Sequence, residues 1–253
     1  MIKDKDPFNG SDPAWGFMPR PELCLDVVGS FDLSSGLERA LINHAGGAPA
    51  RVIGTPVVGS NYLEFSGGAC LETEIFDTDE ICIVTVSSLP DAPVNGAIVV
   101  GTYMNGTSPG TSIYYTSGKS LRVSADSASG LVSSSWDRTT SYSEWWINLF
   151  SAVYEPPSAD RTVINQRGYG AGGGLISTGG VPNLNNGAGL RKPAARKFRI
   201  GDDYSATFRD KVRVFHALFV RGLGGYSPEA YAKKDALAAD MAARCVRRSI
   251  TLG

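Results

Sequence analysis

Read for period, the chain is mostly short alternating stretches. "NYLEFSG" sets Tyr62, Glu64 and Ser66 against Leu63 and Phe65, and "ACLETEIF" sets Cys70, Glu72 and Glu74 against Leu71, Thr73 and Ile75. Residues two apart on a strand share a face, so Glu72 and Glu74 are predicted to project together, away from Leu71 and Ile75. "ICIVTVSSL" (81–89) is a β-branched run suited to burial on both faces. "ELCLDVVGS", "GAIVVGTYM", "TSIYYTSG", "KSLRVSAD", "SEWWINLFSAVYE", "DRTVINQRG", "KFRIGDD" and "KVRVFHALFVRG" read as further strands. In the last, strict alternation places Val212, Val214, His216, Leu218 and Val220 on one face, and the mainly apolar character of both faces predicts a central strand. "SSSWDRTTSYS" and the Gly/Asn/Pro-rich stretch 168–194 read as loops, and a helical turn is expected near Leu37–Ile42.

The period changes at the C-terminus. Ser227, Pro228 and Glu229 give an N-cap, a proline at the first position and an acid in the first turn. Leu237, Met241 and Cys245 fall four apart on one stripe, and Arg244, Arg247 and Arg248 gather at the far end. This order predicts a helix. The sum is an all-β, two-sheet antiparallel jelly-roll sandwich with a C-terminal α-helix, divided as an extended N-terminal arm (1–21), the sandwich (22–226) and the helix and tail (227–253).

Composition narrows the function classes. With 24 basic and 25 acidic residues, the chain has no net field to draw it to nucleic acid or an anionic membrane. No segment is apolar over a membrane-spanning length. "MIKDKDPFNGSDP" has no apolar core of a secretory signal, so synthesis in a cytoplasm is expected. Cys24, Cys70, Cys82 and Cys245 match neither a zinc nor a redox spacing and are expected as free, mostly buried thiols.

The order of features resembles the concanavalin A-like lectin/glucanase superfamily, in its laminin-G-like branch. The resemblance rests on "LDVVGSFDLSSG", on "NYLEFSGGACLETEIF" with its Phe-x-Gly turn, on "ICIVTVSSL", and above all on "KFRIGDDYSATFRDKVRVFHALFVRGLGGYSPEAY". The long C-terminal helix departs from the family, where a single turn is usual. Such domains recur in bacteriophage tail and other virion proteins. The resemblance therefore implies a non-enzymatic virion structural or attachment protein, with other virion subunits or copies of itself as partners and host-surface glycan as a ligand. A free-standing lectin is the alternative, and a glycoside hydrolase a more distant one.

Glucanases of this superfamily carry Glu-x-Asp-x-x-Glu on one strand. The acids of "LETEIFDTDE" miss that spacing, with Ile75 and Phe76 at positions the motif needs, so no catalytic residue is assigned. "DTDE" and "GDDY" (201–204) offer oxygen ligands of the kind calcium takes, without the full loop pattern. No other cofactor is expected. His216, between Val214 and Leu218, reads as a hydrogen-bonded core residue. Sugar faces stack on aromatic rings with polar tips. Trp136, Tyr142, Trp145 and Tyr115 are the carbohydrate-binding candidates, with Trp136 placed in an exposed loop.

Overall fold

The computed structural model describes residues 17–106, 109–139, 141–155, 160–176 and 183–253. The strands are β1 (Asp26–Asp32), β2 (Arg51–Ile53), β3 (Val57–Val58), β4 (Leu63–Phe65), β5 (Cys70–Phe76), β6 (Glu80–Ser88), β7 (Ala97–Gly101), β8 (Ser112–Tyr115), β9 (Leu121–Ser127), β10 (Gly130–Trp136), β11 (Trp146–Glu155), β12 (Arg161–Tyr169), β13 (Asn183–Ala188), β14 (Lys197–Ile200) and β15 (Val212–Arg221). A single-turn helix, α1 (Leu37–Ala40), follows β1, and the long helix α2 (Pro228–Arg247) follows β15. Most of the expected N-terminal arm lies outside the described residues.

Two antiparallel sheets stack face to face. One runs β13-β12-β11-β6-β15-β4-β3, with β1 beside the second half of β15, and the other runs β10-β9-β8-β7-β14-β5-β2. Between them lies the main core, with Phe31, Phe65, Leu71, Ile83, Tyr115, Trp136, Phe150, Phe198 and Phe219 among its members. Leu71 and Ile75 point into it while Glu72 and Glu74 face outward, as the alternation predicts.

A second apolar layer covers the outer face of the first sheet. Leu237, Ala238, Met241 and Cys245 of α2 lie on Cys82, Val84, Val86, Ile147, Leu149, Phe215, Leu218 and Val220. The predicted stripe is thus the buried face of the helix, and the Ser227 hydroxyl accepts the Ala230 N–H at 3.2 Å as its N-cap. Both faces of β6 are covered, which explains its unbroken hydrophobic run.

β15 is central, between β6 on one side and β4 and β1 on the other. Its strict alternation does not hold. The register against β6 shifts between Val214 and His216, and this bulge reverses the phase. Val212 and Val214 join Ala217 and Phe219 in the core between the sheets, while Phe215, Leu218 and Val220 face α2.

Two expected loops hold strands. "SSSW" ends β10, so Trp136 is a strand residue, and β13 lies within the Gly/Asn-rich stretch. The cysteines are free thiols, with Cys70, Cys82 and Cys245 buried and Cys24 exposed. No helix among the described residues is long and apolar enough to cross a membrane.

Candidate functional site

The acid run separates into single acids, and four of them are held by different partners. Glu72 accepts from Arg51 at 2.7 Å and from Arg199 at 2.9–3.0 Å, and Arg199 stacks on Tyr204 with its guanidinium carbon 3.7 Å from the ring centre. Burial alone would raise the Glu72 pKa, but the hydrogen bonds from Arg51 and Arg199 outweigh it and hold the carboxyl below the usual range. Glu74 pairs with Lys197. Asp77 is sealed from solvent. It bonds Arg191, accepts the Thr111 hydroxyl at 2.7 Å and receives the backbone N–H of Ala194 and Thr78. Glu80 accepts the Gly224 N–H at 2.7 Å. Asp79 is exposed.

"GDDY" is likewise occupied by the fold. Asp202 accepts the Gly68 N–H, and Asp203 accepts the Thr207 N–H and the Ser205 hydroxyl. No group of three His, Cys, Asp or Glu side chains suited to a metal is found among the described residues.

His216 lies under α2 with no solvent exposure, and Phe17 packs edge-on against its ring at 5.4 Å. Its Nε2 is 3.3 Å from the Ser30 hydroxyl, which donates to the Phe17 carbonyl. A Ser30 proton spent on Phe17 leaves the oxygen to accept from His216, so the ring carries its proton on Nε2 and is neutral. Burial lowers its pKa to about 3. Asp32, opposite His216 across the sheet, is committed to Ser34 and to Arg244 of the helix. Serine, histidine and aspartate thus lie close together, but as a sealed polar seam joining β1, β15 and α2.

The four aromatic candidates gather around the loop from β10 to β11, with different fates. Trp136 is only 2% exposed. Its ring lies on Gly168 of β12, where an added Cβ would stand 2.5 Å from the indole. Tyr115 has no exposure, and its hydroxyl is 3.4 Å from Ser87 Oγ. These two are therefore corrected from stacking platforms to core residues, because both point inward from their strands and present no free ring face. Tyr142 and Trp145 keep solvent-accessible surface. Lys119 Nζ stands 5.0 Å from the Tyr142 ring centre, and Trp145 packs on Tyr62 at 5.7 Å. Ser143 and Glu144 between them are exposed.

Two further residues complete this end of the sandwich: Trp146, which as the neighbour of Trp145 on a strand is expected to face the opposite way, and Arg138, which carries no such signal. Trp146, the first residue of β11, points inward and meets Trp136 edge-to-face at 5.4 Å. Arg138 inserts its guanidinium against both indoles, 4.2 Å from the Trp146 ring centre and 4.7 Å from that of Trp136. Its Nη2 donates to the Ser141 carbonyl, which fastens the loop on itself. The only hint of Arg138 in the sequence is a charged residue two positions after a tryptophan in a polar stretch.

No protein-family model matches the sequence, and no curated relative does. Among solved structures the chain is similar to Trypanosoma rangeli sialidase, with a TM-score of 0.53 and 15% identity over 85% of this chain and 33% of that one. It is similar to the binding domain of botulinum neurotoxin DC in complex with SialylT, at 0.53 and 10%, over 83% of this chain and 50% of that one. The binding domain of botulinum neurotoxin serotype C1 gives 0.50 and 10%, over 83% and 51%. The chain spans a third to a half of the length of these structures. At such identities the likeness is one of fold, and the fold is the two-sheet antiparallel sandwich.

Proposed function

We propose that this chain is a non-enzymatic attachment module of a virion, of the tail, baseplate or capsid-decorating kind, which holds host-surface glycan on the loop between β10 and β11. The observation that carries the reading is the grouping on that loop. Tyr142 and Trp145 keep part of their surface in solvent, with the exposed polar residues Ser143 and Glu144 between them. A sugar binds by laying an apolar ring face on an aromatic ring while its hydroxyls meet polar groups around it. The structural likeness to a binding domain in complex with SialylT supports the same direction. The virion setting rests on the order of motifs, the balanced charge and the polar N-terminal segment. Tail or capsid subunits and further copies of the chain are the partners it implies.

The non-enzymatic half of the reading rests on the acid run. Retaining glycoside hydrolysis by a carboxylate pair needs the two carboxyls about 5–5.5 Å apart, one of them free to act as nucleophile. Glu72 and Glu74 are each neutralised by a different cation, and Asp77 is closed off by Arg191. Calcium has no assigned ligands in this reading.

A glycan array probed with the native chain, Tyr142→Ala and Trp145→Ala tests the proposal, alongside an assay for sugar release from every glycan bound. Binding that falls at least about tenfold in either variant, with no release, supports it. Release of sugar by the native chain would make it an enzyme. Binding by a free chain that fails to assemble with virion particles would make it a lectin on its own. No binding at all would leave only the structural role.

A further inference from the structure

Arg138 is 1% exposed, and its charge is not compensated by any acid it bonds to. Nη2 goes to a carbonyl, while Nε and Nη1 have no hydrogen-bond partner. The Glu144 carboxylate acts on it only through space. The guanidinium lies over the ring of Trp146, whose buried indole N–H is also without a partner. Asn148, two residues along β11 on the same inward side, adds an unpartnered Nδ2. Asn148 Oδ1 is taken by Gln166, so its amide nitrogen is the group left over.

The unmet groups on Arg138, Trp146 and Asn148 are all nitrogen donors, and one carries a full charge. An unpaired buried donor costs free energy, and an unpaired buried cation costs more. The indole faces of Trp136 and Trp146 attract the cation but leave its in-plane N–H groups unbonded. The species that satisfies such a set is an acceptor with negative charge. Burial also brings the Arg138 pKa down to about 10, still well above neutrality, so the guanidinium keeps its charge at physiological pH.

We propose that Arg138 and Trp146 form a socket for one small anion, a carboxylate or a halide, between the end of β10 and the start of β11. In the glycan reading above, the socket takes the carboxylate of an acidic sugar. That source of the carboxylate rests on the glycan reading, and the socket itself does not. Trp136, at the end of β10, and Trp146, at the start of β11, hold the guanidinium from two sides.

The test is a thermal-shift titration of the intact chain at fixed ionic strength with sodium acetate, sodium bromide, sodium glucuronate and glucose. Acetate and bromide are expected to raise Tm saturably. Arg138→Met, which keeps an apolar stem between the indoles, should abolish the effect. Trp146→Phe keeps the ring and removes one N–H, and should weaken binding about tenfold, the size of one charge-assisted hydrogen bond. If Arg138→Met does not fold, Trp146→Phe carries the test alone. The absence of a saturable shift with any anion, or equal affinity in the native chain and in Trp146→Phe, overturns the socket. Glucuronate binding more tightly than acetate, with glucose silent, supports the acidic sugar. Glucuronate no tighter than acetate keeps the socket and overturns the sugar as its source.

Discussion

Asp77 and Arg191 are both sealed from solvent, and each is the counter-charge the other needs. Breaking a buried ion pair from one side is costly because the remaining charge has neither water nor partner. Asp77→Ala is expected to destabilise the fold by about 3–5 kcal/mol in urea unfolding, while Glu74→Gln, whose partner Lys197 stays in contact with solvent, should change stability by less than about 1 kcal/mol. Comparable losses at the two positions would contradict the division of the acid run. His216 gives a second prediction at this scale. Its pKa is near 3 in the folded chain, against 6.5 for an unhindered ring. The unfolded chain therefore binds the extra proton first, and stability falls as pH drops from about 6.5 toward 3. Above that window the neutral ring is the stable form in both states and contributes no slope. In His216→Gln the slope over that window should fall by up to about 1.4 kcal/mol per pH unit, measured by denaturant unfolding across the range. An unchanged slope would mean that the ring is not the group that titrates.

At the scale of elements, the C-terminal helix was the part most fully written in the sequence, because its cap, its stripe and its terminal charges are all local. Met241 is fully buried on the face that covers the sheet. Met241→Ala should cost about 2–5 kcal/mol, and Ser227→Ala about 1 kcal/mol, with the helix still present in far-UV circular dichroism. Equal losses from the two would argue that the stripe is not the main attachment of the helix. The strands were legible where the core side is apolar. β10 was not, because Ser134 faces inward and bonds Gln166 across the sandwich, which hides the alternation of Val132, Ser134 and Trp136. The apolar pattern of β15 marks it as central but gives the wrong phase, since a bulge leaves no mark in a run that is apolar on both faces. The aromatic cluster around the candidate site was legible as a set of residues but not in its geometry. Which of them faces the core depends on Gly168 and on Arg138, and the partner of Asp77 stands more than a hundred residues away along the chain.

The whole molecule is woven rather than assembled in sequence. In the first sheet, β15 from the end of the sandwich sits between β6 and the pair β1 and β4 from its beginning. In the second, β14 sits between β7 and β5. Neither sheet is complete until the last strands arrive, and α2 then covers the face that β15 completes. Such non-local pairing predicts slow folding, on the order of milliseconds to seconds, and a single cooperative unit. Two adjacent tryptophans make this testable. Trp146 reports on the core between the sheets, while Trp145 lies on the helix side and pairs with Leu252. Single-tryptophan variants retaining one or the other, followed by fluorescence in urea, should unfold with the same midpoint as the far-UV helix signal. An earlier transition at Trp145 together with the helix signal would instead make α2 a separately melting cover over a sandwich that is stable without it. The exposed apolar face of the sheet would then become the surface through which the chain associates, and a net charge of −1 offers little repulsion to oppose it.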